Sequence, residues 1–274
     1  MFLLEQLGRQ HAIRPFDLRD RGLLLADGVF DTSLIVCGTM VLRSAHVNRL
    51  VRDATALEIN IDQQRINDLL DNNLTEDQNG VLRITVTSGP AERWSLNTQM
   101  IPPTVLLSLS PLNRSDQFKP ISLQTSLIRR NHTSLTSRHK TLAYTDNLAA
   151  LRAARTEGYD DALFLNTRGN VCCVTTGNLF LKIGNTWMTP PVSDGILPGI
   201  MRQWVMKTAP HIGLGIIEQT ITEDELRFVE AAFMTNSGRL AVPISKMDGR
   251  ELRPQLPDGL EDTAMELVRT SSEH

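Results

Sequence analysis

Cysteine is scarce in this chain: there are three, Cys37, Cys172 and Cys173, in 274 residues. An odd number with two neighbours does not make a disulfide framework, so the expected setting is a reducing cytoplasm. No apolar run approaches the roughly 20 residues of a membrane-spanning helix, which argues against a membrane partner. The start, Met1-Phe2-Leu3-Leu4-Glu5, lacks the basic segment and long apolar stretch of a secretory leader. Excess positive charge is absent too. The net charge is −3 with Lys and Arg scattered, so nucleic acid is not an expected partner. There is no internal repeat and no low-complexity segment. What remains is an ordinary globular composition, 41% hydrophobic and 22% charged. The length suits two domains of about 110 to 150 residues each.

Periodicity predicts short strands and helices in both halves. Leu34 to Cys37 and Met40 to Leu42 flank a Gly38-Thr39 turn as a hairpin. Ser44 to Leu57 places Val47, Leu50, Val51, Ala54 and Leu57 at helical spacing, with Ser44 as N-cap, so Arg49 sits beside the apolar face. Asp62 to Leu74 reads as a second helix, and Val81 to Thr87 and Thr104 to Leu109 as strands, the first closed by Ser88-Gly89-Pro90. The polar, proline-closed stretch around 114–120 reads as a linker between an N-terminal domain, 1–113, and a larger C-terminal domain, 121–274. Strands are expected at 121–127, 161–165, 171–174, 178–182, 186–189 and 231–235. Helices are expected after Lys140, from Gly199, at 223–226 and at 261–270. Hairpin-rich halves of this kind imply an α+β fold with mixed or antiparallel sheets, rather than a doubly wound one.

One lysine stands out chemically. Lys140 precedes a helix, is flanked by small and apolar residues, and has no carboxylate after it until Asp146. Surroundings that disfavour an ammonium turn a lysine into a nucleophile able to hold a carbonyl cofactor as a Schiff base. A phosphate suits a helix start such as Gly199-Ile200-Met201, an arginine such as Arg49, and the polar loop Thr235-Asn236-Ser237-Gly238.

In this order and spacing the motifs resemble the fold-type IV pyridoxal-phosphate enzymes, which include branched-chain and D-amino acid aminotransferases and 4-amino-4-deoxychorismate lyase. Arg19-Asp-Arg21 through Asp27-Gly28-Val29-Phe30, His46-Val-Asn-Arg49-Leu50, His139-Lys140-Thr-Leu-Ala-Tyr144 with Asn147, Gly158 to Leu163, Asn178-Leu179-Phe180, Gly199-Ile200-Met201-Arg202 and Phe233 to Gly249 carry the likeness over nearly the whole chain. The resemblance implies a two-domain fold, a small N-terminal α/β sandwich and a larger C-terminal mixed-sheet domain, and a homodimer. It also implies a small amine or amino acid as substrate and pyridoxal 5′-phosphate as cofactor, joined to Lys140 as an internal aldimine. Arg49, the backbone of Ile200 and Met201, Ser237 and Asn236 would hold the phosphate side, and Asn178 would lie behind the ring. Phe30, Thr32 and Arg93 fall where relatives place groups that touch substrate, Arg93 receiving a carboxylate. His139 is expected to pack or orient rather than act as a base.

A second scarcity then matters: no Asp or Glu occurs between Asp161 and Asp194. Family members usually carry a glutamate five residues before the asparagine, paired with the pyridine nitrogen; here Cys173 takes that position. A neutral thiol does not stabilise a protonated nitrogen as a carboxylate does, and no lysine or arginine adjacent in sequence argues for a thiolate. This favours elimination over transamination. Met1-Phe2-Leu3, Asn79-Gly80-Val81-Leu82 and the Gly-Ile-Met-Arg run also look like the lyases. The expected function is a lyase yielding pyruvate and 4-aminobenzoate. The alternatives are an aminotransferase and a cofactor-binding homologue with weak catalysis.

Overall fold

The computed structural model describes residues 2–6, 16–91, 102–113, 115 and 117–271. The chain divides into two units, one formed by Met1–Leu112, His139–Ala143 and Leu267–His274, the other by Asn113–Arg138 and Tyr144–Glu266.

The first unit carries β1 (Phe2–Gln6), α1 (Arg21–Leu25), β2 (Gly28–Val36), β3 (Thr39–Met40), α2 (Arg43–Ala56), α3 (Gln63–Asn73), β4 (Gly80–Thr87) and β5 (Thr104–Ser110). Its five-stranded sheet runs β1-β5-β4-β2-β3, antiparallel except where β1 joins β5. Alternation sorts the faces. Val29 and Ile35 of β2 join Leu82, Ile84 and Val86 of β4 in a core closed by Val47, Leu50 and Ala54 of α2 and Ile66 and Leu70 of α3. Asp31 pairs with Ile84, which puts it on this helix-covered face. Phe30 and Thr32 pair with Thr85 and Arg83, on the other.

Two local expectations move slightly. The β2–β3 turn is centred on Cys37 and Gly38, both with positive φ (47° and 74°), so Thr39 already belongs to β3. The α2 helix begins at Arg43 behind Leu42 in a left-handed conformation, and no side chain caps it, so Ser44 lies in its first turn rather than at its N-cap.

The second unit carries β6 (Ile121–Thr125), α4 (Leu135–Arg138), α5 (Thr145–Thr156), β7 (Asp161–Leu165), β8 (Val171–Val174), β9 (Asn178–Ile183), β10 (Thr186–Thr189), α6 (Ile200–Thr208), β11 (Ile216–Glu218), β12 (Val229–Asn236), β13 (Leu240–Met247), β14 (Arg250–Glu251) and α7 (Leu260–Thr270). The short helix expected at 223–226 is instead part of a 3-10 turn, Glu223–Phe228, behind a Thr222–Glu225 capping box. The mixed sheet runs β11-β10-β9-β12-β13-β6-β7-β8, and β8 also pairs with β9, so six strands close on themselves. Leu163, Val174, Leu179, Leu181, Met234, Val242 and Ile244 pack together in the largest core cluster. Phe180, Phe233 and Trp187 alternate to a second cluster that includes Val205 of α6. There the Phe180 and Phe233 rings stack with centroids 4.6 Å apart. This is an α+β fold in which both units rest on sheets with antiparallel pairings.

Candidate active site

In the first unit, α2 carries two parallel stripes. Val47, Leu50 and Ala54 face the core, and beside them His46, Arg49 and Asp53 form a buried polar line. Ionisable groups on a buried helix face need partners, and β2 supplies one. Asp31 accepts from Arg49 Nε at 2.8 Å and Arg49 Nη2 at 2.9 Å, and contacts His46 Nδ1 at 2.5 Å. Burial alone would push the Asp31 carboxyl up; the charge of Arg49 and the bonds from His46 and Arg49 overcome it and hold the group at about 2. Arg49 is thereby oriented by a forked ion pair that spends Nε and Nη2. Sequence reading did not give Asp31 this role, because its partners lie 15 and 18 positions away.

Lys140 belongs to the same unit. Its carbonyl accepts from Phe30 N at 2.9 Å, Thr141 bridges Val29, and Leu142 N donates to Gly28 O at 2.9 Å, so residues 140–142 run along the start of β2. A side chain at Gly28 has no room, since a Cβ there would lie 2.6 Å from Val86 O and 2.8 Å from Leu142 Cδ1. Lys140 Nζ stands 4.2 Å from the centre of the Phe30 ring, and Arg83 Cζ stands 3.6 Å from the same ring. Burial lowers the lysine from its ordinary 10.5 to about 8. Arg49 and Arg83 add to the lowering, and Asp31 and Asp53 work against it. An amine at that value is part neutral near physiological pH, the state in which it is a nucleophile and a base.

Phe30 therefore lies beside the lysine. Thr32 is opposite Arg83 on the same sheet face, with its backbone amide held by Asp31 Oδ1. Arg93 lies outside the described residues. Arg83 is a cation at Lys140 that sequence reading passed over, although the alternation of β4 places it away from the apolar face.

The second unit gathers the other candidates through strand register. Cys173 of β8 is directly opposite Asn178 of β9, and Asn178 is opposite Thr235 of β12. Asn178 Nδ2 donates to Leu197 O at 2.8 Å, and its Oδ1 occupies the space beside Gly199, where a Cβ would come within 2.0 Å of it. Glycine at the N-cap of α6 is thus required by contact, and it leaves the helix start at Ile200 and Met201 without a side-chain cap. Arg202, one turn on, anchors α6 to Thr189 Oγ1, Pro190 O and Glu218. Thr235 Oγ1 is buried and has no hydrogen-bond partner. Asn236 Oδ1 accepts from Gly238 N and Arg239 N, and so shapes the loop that carries Ser237. Tyr144 and Asn147 both donate to Thr175 O, fixing the β8–β9 turn.

Cys173 is buried, and burial raises its thiol above the ordinary value. Arg130 lowers it and Asp161 raises it further. A positive neighbour is therefore present, brought by the fold from outside the local sequence, but desolvation outweighs it and the group stays a neutral thiol. Asp161 is itself raised by burial, against the bond it accepts from the Thr175 hydroxyl.

A family profile described as Amino-transferase class IV matches residues 28–247. A Methanocaldococcus jannaschii protein provisionally assigned as a branched-chain-amino-acid aminotransferase is 30% identical over 241 residues, 84% of this chain and 82% of that protein. The aminodeoxychorismate lyase of Bacillus subtilis is 28% identical over 248 residues, 86% of this chain and 82% of the lyase. In three dimensions, the branched-chain aminotransferase of Thermoproteus uzoniensis, solved with norvaline, superposes with a TM-score of 0.83 at 25% identity, covering 94% of this chain and 90% of that one.

Proposed function

The chain belongs to the class IV aminotransferase family, and on that premise we propose that it is a pyridoxal-phosphate-dependent lyase that releases pyruvate from 4-amino-4-deoxychorismate and leaves 4-aminobenzoate. The residues fit such a cofactor by their donor chemistry. In the first unit these are the Lys140 amine and the remaining Nη1 of Arg49; in the second, the uncapped start of α6 at Ile200 and Met201, the Ser237 loop shaped by Asn236, and the buried Thr235 hydroxyl that has no protein partner. When bound, pyridoxal phosphate supplies an aldehyde carbon that amines join and a ring that accepts electrons.

The chain's own part is proton handling and orientation. Lys140 Nζ, at about 8, takes a proton from the substrate's α-carbon as amine and returns it as ammonium, with Asp31 and Asp53 favouring the charged form and Arg49 and Arg83 the neutral one. Asp31 keeps Arg49 pointed through its two hydrogen bonds.

The observation that carries the choice of lyase is the neutral, buried thiol of Cys173 at the position where the resemblance implies a glutamate. A thiol is a weak hydrogen-bond donor and brings no negative charge to a pyridine nitrogen. Transamination relies on the ring to store the substrate's electron pair; elimination sends that pair onward with a leaving group and so loses less. A second reading, an amino acid aminotransferase, is favoured by the 30% identity to the archaeal relative. We further take the protein to be a cytoplasmic homodimer. Among the described residues no helix is long and apolar enough to cross a membrane, and sedimentation velocity would return a two-chain mass.

The deciding assay incubates the loaded protein with aminodeoxychorismate. Equal release of pyruvate and 4-aminobenzoate is the expected result; exchange of amino groups between amino acids and 2-oxo acids without it would replace the lyase by the aminotransferase. Cys173→Glu should raise the amino-donor half-reaction on the order of tenfold. An unchanged half-reaction would remove the thiol argument.

A further inference from the structure

Building on the reading of Lys140 as the amine that takes the cofactor, we propose that Asp53 is a positioning residue for Lys140, its carboxylate tying α2 to the lysine's own backbone. Asp53 is 1% exposed and lies outside the His46-Val-Asn-Arg49-Leu50 motif that precedes it. Its Oδ2 accepts the backbone N–H of Lys140 at 2.9 Å, and its Oδ1 accepts His139 Nδ1 at 2.9 Å, 87 and 86 positions along the chain. Arg52 reaches Oδ1 from the solvent side, Nε at 3.0 Å and Nη2 at 2.8 Å. A carboxylate only accepts, so the His139 proton resides on Nδ1.

The geometry assigns the bond a purpose beyond filling a vacancy. The carbonyl of Lys140 is fixed by Phe30 N–H, and the amide takes Asp53 as its acceptor. With both backbone groups held, the lysine's freedom is confined to its side chain. The same helix supplies Arg49, one turn before Asp53 on the same buried line, so α2 sets both the arginine and the root of the lysine. A positioned nucleophile gains because less orientation must be found at the moment of reaction. The charged groups acting on Lys140 are Arg49, Asp31, Arg83 and Asp53, with His46 and Arg49 bound to Asp31 and His139 and Arg52 bound to Asp53. Loss of the Asp53 charge should therefore move the lysine further down.

The test uses the full chain as wild type, Asp53→Asn and His139→Asn. In cofactor-free protein, trace acetylation of Lys140 across pH, read by mass spectrometry, gives the midpoint of the amine. It is expected near 8 in wild type and about half a pH unit or more lower in Asp53→Asn. Adding pyridoxal phosphate then gives the rate at which Lys140 captures it, joining Nζ to the aldehyde carbon with release of one water and read as growth of visible absorption. Capture should slow about tenfold in Asp53→Asn and to a lesser degree in His139→Asn. A lower melting temperature with midpoint and capture rate both unchanged would make Asp53 a plain structural residue and overturn the proposal. If Asp53→Asn does not fold, an unslowed capture in His139→Asn overturns it instead. If wild type gains no visible absorption that Lys140→Ala abolishes, the cofactor reading fails. The acetylation midpoint still decides the role of Asp53 in that case.

Discussion

Asp31 is a carboxylate enclosed with Arg49 and His46, and its value lies in what it prevents. Removing one partner of a buried ion pair leaves the other charged and desolvated. Asp31→Asn should destabilise the protein by about 3 kcal/mol at neutral pH, read from denaturant unfolding. The pH dependence has a definite sign. The folded carboxyl sits at about 2, below its ordinary 3.8, so its stabilising contribution is complete above about 4 and fades as pH falls toward 2. Lys140 behaves oppositely. Its folded value, about 8 against 10.5, means the buried ammonium opposes folding below 8, and that opposition disappears as pH rises from 8 to 10.5. Lys140→Met should thus stabilise cofactor-free protein at pH 7 by on the order of 2 kcal/mol, with no gain remaining above pH 10.5. An equal gain at pH 7 and pH 11 would show that the ammonium is not the cause.

At the scale of elements, the start of α6 meets the row Cys173, Asn178 and Thr235 where Asn178 packs on Gly199. Thr235→Val is close to isosteric and deletes a buried hydroxyl that has no partner. It should leave the cofactor-free protein as stable or up to about 1 kcal/mol more stable, while weakening its affinity for pyridoxal phosphate. Stability lost without cofactor would mean that the hydroxyl serves the fold. Much of this level was legible in sequence. The 161–165, 171–174 and 186–189 strands were readable because apolar alternation and Gly-containing turns are local signals. The start of α2 was not: an uncapped helix behind a left-handed leucine goes against capping preference, and only packing of its buried stripes holds it there.

At the scale of the whole molecule, a cofactor that binds only the folded chain must stabilise it by mass action. Pyridoxal phosphate at about a hundred times its dissociation constant should add about 2.7 kcal/mol, seen as a rise in melting temperature. In Lys140→Ala the rise at the same concentration should be smaller, because the covalent anchor is gone. An identical shift in both proteins would place the cofactor's attachment elsewhere. Which residues belong to which unit is a property of this scale also: His139–Ala143, just past the midpoint of the sequence and flanked on both sides by residues of the second unit, group with the first unit.

The sequence by itself determined most of the secondary elements, the α+β class and the family, because periodicity, turn residues and a series of ordered motifs are written along the chain. It also showed that no Asp or Glu lies between Asp161 and Asp194, with Cys173 at the position where the resemblance implies a glutamate. Tertiary structure alone decided that Asp31 holds Arg49, that Arg83 shares the Phe30 ring with Lys140, that Arg130 stands near Cys173, and that Asp53 grips the lysine's backbone. These are charge and hydrogen-bond effects acting over a few ångströms between residues many positions apart, and burial sets their strength; neither separation in space nor loss of solvent is encoded at any single position.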